Sequence, residues 1–148
     1  MQNLQMAPLY DPTLTQPMRD EVTRLGVKEL TTTEAVDQAL AEKGTTLVFV
    51  NSVCGCAAGS ARPALTLAMQ HGTLPDQAVS VFAGQDRAAT EQARSHFHGY
   101  PPSSPMFALM QDGEVVHMVP RHHIEGYTAE QIAENLKGAF DKFCAQNA

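Results

Sequence analysis

The run Thr45-Thr46-Leu47-Val48-Phe49-Val50 constrains this chain more than any other segment. It is β-branched and apolar with no polar alternation, the pattern of a strand covered on both faces. Such a strand needs helices on each side of its sheet, which points to an α/β domain. Cys54-Gly55-Cys56 follows at its C-terminal end. Ala57 to Gln70 is then rich in Ala, Leu and Met and reads as a helix, with Pro63 expected to kink or break it.

The other elements follow from spacing. Val79 to Ala83 reads as a second buried strand. Met106 to Met110 and Val115 to Val119 read as strands joined by Gln111-Asp112-Gly113-Glu114, where Asp-Gly is a hairpin signal. Residues 1–14, with Pro8 and Pro12, are expected to run irregularly. Pro17 then opens a helix with Met18, Val22 and Leu25 on one face, and Gly26 ends it. Val27 to Leu30 could form a short strand. Thr31-x-x-Glu34 has the capping-box pattern, and Val36, Ala39 and Leu40 repeat at helical spacing up to Gly44. Asp86 can cap a helix carrying Ala89, Ala93 and Phe97. Gly99 to Pro105 is a loop. Thr128-x-x-Gln131 caps a final amphipathic helix with Ile132, Leu136, Ala139, Phe140 and Phe143.

No repeat or linker divides the chain, so residues 1–148 are expected to form one domain: a central mixed sheet flanked by helices. The element order is similar to that of the thioredoxin fold with an extra N-terminal helix. A βαβ half carries the cysteines at the end of its first strand, and a ββα half begins at a proline.

Composition narrows the function. A chain of 148 residues can fold without disulfide staples. Three cysteines, an odd and low count, do not make a secreted disulfide framework. Sixteen Asp and Glu against ten Lys and Arg, a net charge of -6, disfavour nucleic acid as a partner. The N-terminus has neither a basic nor an apolar leader region, and no apolar run approaches the roughly 20 residues that span a bilayer. A cytoplasmic protein with no membrane partner is expected. There, closely spaced cysteines are more often redox-active or metal-binding than structural.

A thiolate, rather than a thiol, attacks a disulfide, so a reactive cysteine needs a lowered pKa. Cys54 falls where the strand hands over to the helix and Cys56 near the first turn, where unpaired N–H groups and the helix dipole favour an anion. Gly55 is expected to let the backbone turn so that the sulfurs meet. A disulfide across one intervening residue would be labile. Two other readings stay open: a thiolate metal site completed by histidines, and two unrelated buried cysteines. Structural zinc sites space their first pair at Cys-x₂₋₄-Cys and add a second pair, which this chain lacks. Cys144 reads as a half-buried thiol without a role. His96, His98, His122 and His123 read as solvent-facing, although one could assist the thiolate.

The residues Val53-Cys54-Gly55-Cys56-Ala57-Ala58-Gly59-Ser60-Ala61-Arg62-Pro63-Ala64 resemble the signature of the bacilliredoxin family. Pro102-Ser103-Ser104-Pro105 and Arg121-His122-His123-Ile124-Glu125-Gly126 resemble it too, and the likeness runs from Asp11 to Phe143. The resemblance implies a thiol–disulfide oxidoreductase that removes bacillithiol, a low-molecular-weight thiol, from mixed disulfides on client proteins. It implies Cys54 as nucleophile and Cys56 as resolving cysteine, with no bound cofactor and no metal. Disulfide isomerase activity on proteins is the alternative, and a non-catalytic metal carrier or thiol-binding module a second one. The fold resemblance implies a cis peptide at Ser104-Pro105, facing the cysteines and pairing with substrate. Arg62 is a candidate for holding the carboxylates of bacillithiol, with a helix-surface arginine as the plainer reading. The chain departs from the wider thioredoxin pattern in having Cys-x-Cys and no tryptophan before it.

Overall fold

Strand β2, Thr45–Asn51, is buried along its whole length, as its composition requires. The computed structural model of the chain describes residues 7–144. Side chains alternate across a strand. Leu47 and Phe49 therefore enter one core, with Phe107, Leu109 and Ile132, while Val48 and Val50 enter a second, with Val36, Val81 and Ala89. β2 sits at the centre of a five-stranded sheet of order β1-β3-β2-β4-β5, in which β1 is Lys28–Glu29, β3 Gln77–Phe82, β4 Met106–Gln111 and β5 Glu114–Val119. β2 runs parallel to β3 and antiparallel to β4, so the sheet is mixed as expected. Phe49 and Phe107 are partners in that antiparallel register and stack with centroids 4.7 Å apart.

Helices cover both faces. α1 (Pro12–Thr23), α3 (Arg62–Ala68) and α5 (Ala129–Phe143) contribute to the first core. α2 (Thr33–Leu40) and α4 (Arg87–Arg94) pack on the second. The capping box at Thr128 and Gln131 forms as the sequence predicts. The Asp112-Gly113 hairpin also forms, with both residues at positive φ.

Several boundaries differ from expectation. The irregular N-terminal stretch ends earlier than residue 14, because Asp11 accepts a bond from the Thr13 N–H and Pro12 stands in the first turn, so the helix starts there. Pro17 lies inside α1 and does not open it. The irregular stretch expected over residues 1–6 lies outside the described residues. The cap of α2 is Thr32, one residue past Thr31, its hydroxyl accepting from the Ala35 N–H. Asp86 stands at the start of α4, but its carboxylate takes the Arg19 guanidinium and makes no cap bond.

Gly44 lies beyond the end of α2, at φ +96°. Its N–H donates to Asp112 at 2.8 Å, and a Cβ there would run into the Asp76 carboxylate, which also accepts from the Thr45 N–H. Gly44→Ala is expected to cost about 2 kcal/mol, combining a disfavoured backbone conformation with a displaced carboxylate. At this chain length that lowers the melting temperature by roughly 4–8 °C. An unchanged melting temperature would show that the turn tolerates a side chain.

Candidate active site

The register of β2 on β4 places the cysteine motif and the proline loop at one end of the sheet. Val50 pairs with Met106. Cys54 lies four residues beyond Val50, and Pro105 immediately precedes Met106. The Ser104–Pro105 bond is cis, as the fold resemblance implied.

The helix opens at Cys54. Its carbonyl accepts from the N–H groups of Ala57 and Ala58, and Cys56 stands in the first turn. The turn widens over Ala57–Ala61 into a π-helix, where the Arg62 N–H donates to the Ala57 carbonyl five residues back. Pro63, which has no N–H, then falls in the first turn of α3. The expected break is thus upstream of the proline, as a π-turn joined to an α-helix.

The two sulfurs are 2.9 Å apart, within hydrogen-bond reach, and both residues are half-buried. Burial pushes the Cys54 thiol up, but it is outweighed by hydrogen bonds from Cys56, Ser52 and the Ala57 N–H and by the charge of Arg121. The net pKa lies below the ordinary thiol value. Cys56 moves the opposite way, raised first by burial and then by its hydrogen bond to Cys54 and the Cys54 charge. The geometry therefore favours the anion at Cys54 over the anion at Cys56, which is the proton donor of the pair.

Arg62 occupies neither of its expected places. It is 3% exposed and lies under the cysteine loop. Its Nε donates to Glu21 at 2.8 Å, and its Nη1 to the Asn51 side chain at 3.0 Å and the Ser52 carbonyl at 2.8 Å. Asn51 in turn accepts from the Ser52 N–H, and Ser52 Oγ from the Cys54 N–H. Arg62 thus fixes the chain that leads to Cys54 and is too enclosed to meet a ligand. Gly55 is exposed, has no positive φ, and has open space where a Cβ would stand. The backbone turn therefore does not depend on glycine here.

Sequence reasoning missed two arginines. Arg121 Nη1 donates to the Ser104 carbonyl at 3.1 Å, and the Arg121 N–H to Ser103 Oγ at 3.3 Å. Arg94 Nη2 donates to the Ser103 carbonyl at 3.1 Å. Consecutive carbonyls of the cis-proline loop are thus held by guanidiniums from two elements. Only the Arg121-His122-His123 motif hinted at this. The histidines are spread out: His96 meets Asp37, His117 meets Asn135, and His122 packs edge-on to His123 on the surface. Among the described residues no three His, Cys, Asp or Glu side chains gather to hold a metal. Cys144 is fully buried, where half-burial was expected, and its thiol pKa is pushed up by that burial. Beside the proline loop lies a largely apolar cavity of about 400 Å³, lined by Tyr100, Pro102, Met106 and Met118 and by His122 and His123. No helix among the described residues is long and apolar enough to cross a membrane.

Known proteins resemble this chain in sequence and in fold. A family model described as disulphide isomerase matches residues 10–144. The chain is 55% identical over 137 residues to a bacilliredoxin of Geobacillus kaustophilus, covering 91% of this chain and 94% of that protein. It is 50% identical over 136 residues to a bacilliredoxin of Staphylococcus haemolyticus, covering 92% and 94% respectively. A solved structure titled as a putative oxidoreductase with a thioredoxin fold aligns with a TM-score of 0.57. It is 15% identical and covers 73% of this chain and 91% of that one, so the expected thioredoxin-like fold is present.

Two measurements check the site. Alkylation of Cys54 followed against pH should show a midpoint below that of an ordinary thiol. Cys56→Ala, which removes a hydrogen bond to the thiolate, should move that midpoint up. An unmoved midpoint would mean that Cys56 does not tune Cys54. Arg62→Met leaves Asn51, the Ser52 carbonyl and Glu21 without their cation and should destabilise the fold by about 3 kcal/mol. A variant of native stability with only a weakened affinity for thiol would restore the ligand role that burial denies it.

Proposed function

The chain belongs to the bacilliredoxin family, its function is a redox one, and on that premise we propose that it removes bacillithiol from mixed disulfides on client proteins. The observation that carries the reading is the asymmetric pair 2.9 Å apart, with Cys54 the more acidic thiol. The Cys54 thiolate attacks the bacillithiol sulfur of the mixed disulfide. The mixed S–S bond breaks, a Cys54–bacillithiol disulfide forms, and the client leaves as a thiolate that takes up a proton. Cys56 then loses its proton and attacks the Cys54 sulfur. Bacillithiol departs as a thiolate, and a Cys54–Cys56 disulfide remains. The client has gained two electrons and the protein has lost them, so a second thiol must reduce the pair; such a thiol can also reduce Cys54–bacillithiol directly.

In this reading the loop at Ser104 and Pro105 receives the client backbone, and the apolar cavity beside it takes client side chains. Gly55, exposed and without a side chain, leaves the approach to the sulfurs open. Bacillithiol is a substrate or co-substrate, no cofactor is bound, and the cytoplasm, where thiols are kept reduced, is the place of action. The description of the family model favours a second reading, isomerisation of protein disulfides by the same pair. There Cys54 would attack a client disulfide and leave again without net oxidation.

A client peptide carrying bacillithiol as a mixed disulfide separates the two. Wild-type protein should release the peptide thiol, Cys56→Ala should accumulate bacillithiol on Cys54 visible by mass, and Cys54→Ala should lose activity by at least a hundredfold. Full activity in Cys54→Ala would dismiss the nucleophile. Rescue of a scrambled disulfide protein, with no release of bacillithiol, would favour isomerisation.

A further inference from the structure

Three arginines surround the reactive end, and they differ in what they have left to offer. Arg62 is enclosed and committed to Glu21, Asn51 and Ser52. Arg94 reaches the Ser103 carbonyl, and its Nε is buried. Arg121 has a side chain 42% exposed. Its Nη1 is on the Ser104 carbonyl, which anchors it at the cis-proline loop. Its acidic partner is Glu125, whose carboxylate is 3.5 Å from Nε and 63% exposed. So long and solvated an ion pair is weak and easily exchanged. Nη2 has no partner among the described residues, and the charge of Arg121 acts on both sulfurs.

A carboxylate brought in on a thiol would therefore find a planar, anchored cation with a free edge beside the sulfurs. A guanidinium is suited to binding a carboxylate by paired N–H groups. The neighbouring cavity is largely apolar, its polar lining being Ser103, His122 and His123, and it holds no guanidinium. The chain as a whole carries a net charge of -6, so its overall charge does not draw an anionic thiol to it. We propose that Arg121 is the specificity-determining residue that takes a carboxylate of the low-molecular-weight thiol, displacing Glu125, so that anionic thiols are preferred over neutral ones. This inference rests on the bacillithiol reading and gives to Arg121 the role that the sequence suggested for Arg62.

The test compares two mixed disulfides on one peptide, one with bacillithiol and one with uncharged 2-mercaptoethanol, both assayed at a pH where Cys54 is fully ionised. Wild-type protein should favour the bacillithiol disulfide. Arg121→Gln should reduce that preference about tenfold, the size of one charge-assisted hydrogen bond, mainly through KM. Arg121→Lys should recover part of it, since the charge stays while the paired geometry goes. Glu125→Gln, which removes the competing carboxylate, should lower KM for the bacillithiol disulfide about two- to threefold and leave the neutral one unchanged. A preference that survives Arg121→Gln would overturn this assignment and leave the bacillithiol reading standing. Equal loss on both disulfides would do the same, and would show Arg121 to act on the loop and the sulfurs alone. A wild-type protein that cleaves the neutral disulfide but not the bacillithiol one would overturn the reading of the substrate and this inference with it.

Discussion

The reactive end depends on one strand having no face turned to water. β2 buries Leu47 and Phe49 on one side and Val48 and Val50 on the other. Both layers of helix are therefore required, and the two neighbouring strands must be strongly registered, since a slip of one residue would exchange the two cores. That register has a chemical consequence. Pairing of Val50 with Met106 sets the residues after β2 opposite the residues before β4. The cysteine motif and the cis-proline loop meet because hydrophobic burial fixes the strands between them. Stacking of Phe49 on Phe107, a directly paired couple, tightens the same register from within.

Hydrophobic burial stops at Asn51, and a polar device continues from there. The buried Arg62 guanidinium would be costly to desolvate without partners. It finds a carboxylate on α1, an amide at the end of β2 and the Ser52 carbonyl. Those bonds hold the chain that enters the motif, and Ser52 meets the Cys54 N–H. The N-terminal helix is thereby tied to the site through Glu21, and through the Met18 carbonyl, which accepts from Asn51. What looks like an appendage on a thioredoxin-like core is thus one wall of the support beneath Cys54.

The fold was legible in the sequence wherever burial and backbone chemistry dictate it. The apolar run of β2, the Asp-Gly hairpin and the Thr128 capping box each carry their conformation in a few residues. The site was legible in part. Cys54, Cys56 and the cis bond at Pro105 could be named, because a motif or a fold resemblance marks them. Boundaries set by a choice between equivalent partners were not: Thr31 and Thr32 can each cap a helix, and Asp86 can serve either a cap or Arg19. The arginines were misread for a related reason. Arg62 is near the cysteines in sequence, whereas Arg121 reaches them only through the packing of β5 and the turn after it. A guanidinium's role depends on how many of its donors the fold has already used, and sequence does not record that.

The Cys-x-Cys spacing itself follows from where the helix begins. Residues two apart within a helix point to different sides and do not meet. Here the sulfurs reach 2.9 Å because Cys54 stands at the helix entrance, its carbonyl accepting the first bonds, while only Cys56 lies in the turn. That same offset separates their acidities. Cys54 receives a hydrogen bond from the Ala57 N–H, whereas Cys56, two residues further in, donates to its neighbour and gains no compensating bond. Two positions across a helix start thus separate the acidities of two chemically identical side chains. The widened turn over Ala57–Ala61 then lets the chain reach Pro63 without spoiling that entrance, because the missing N–H of the proline falls in the opening turn of α3.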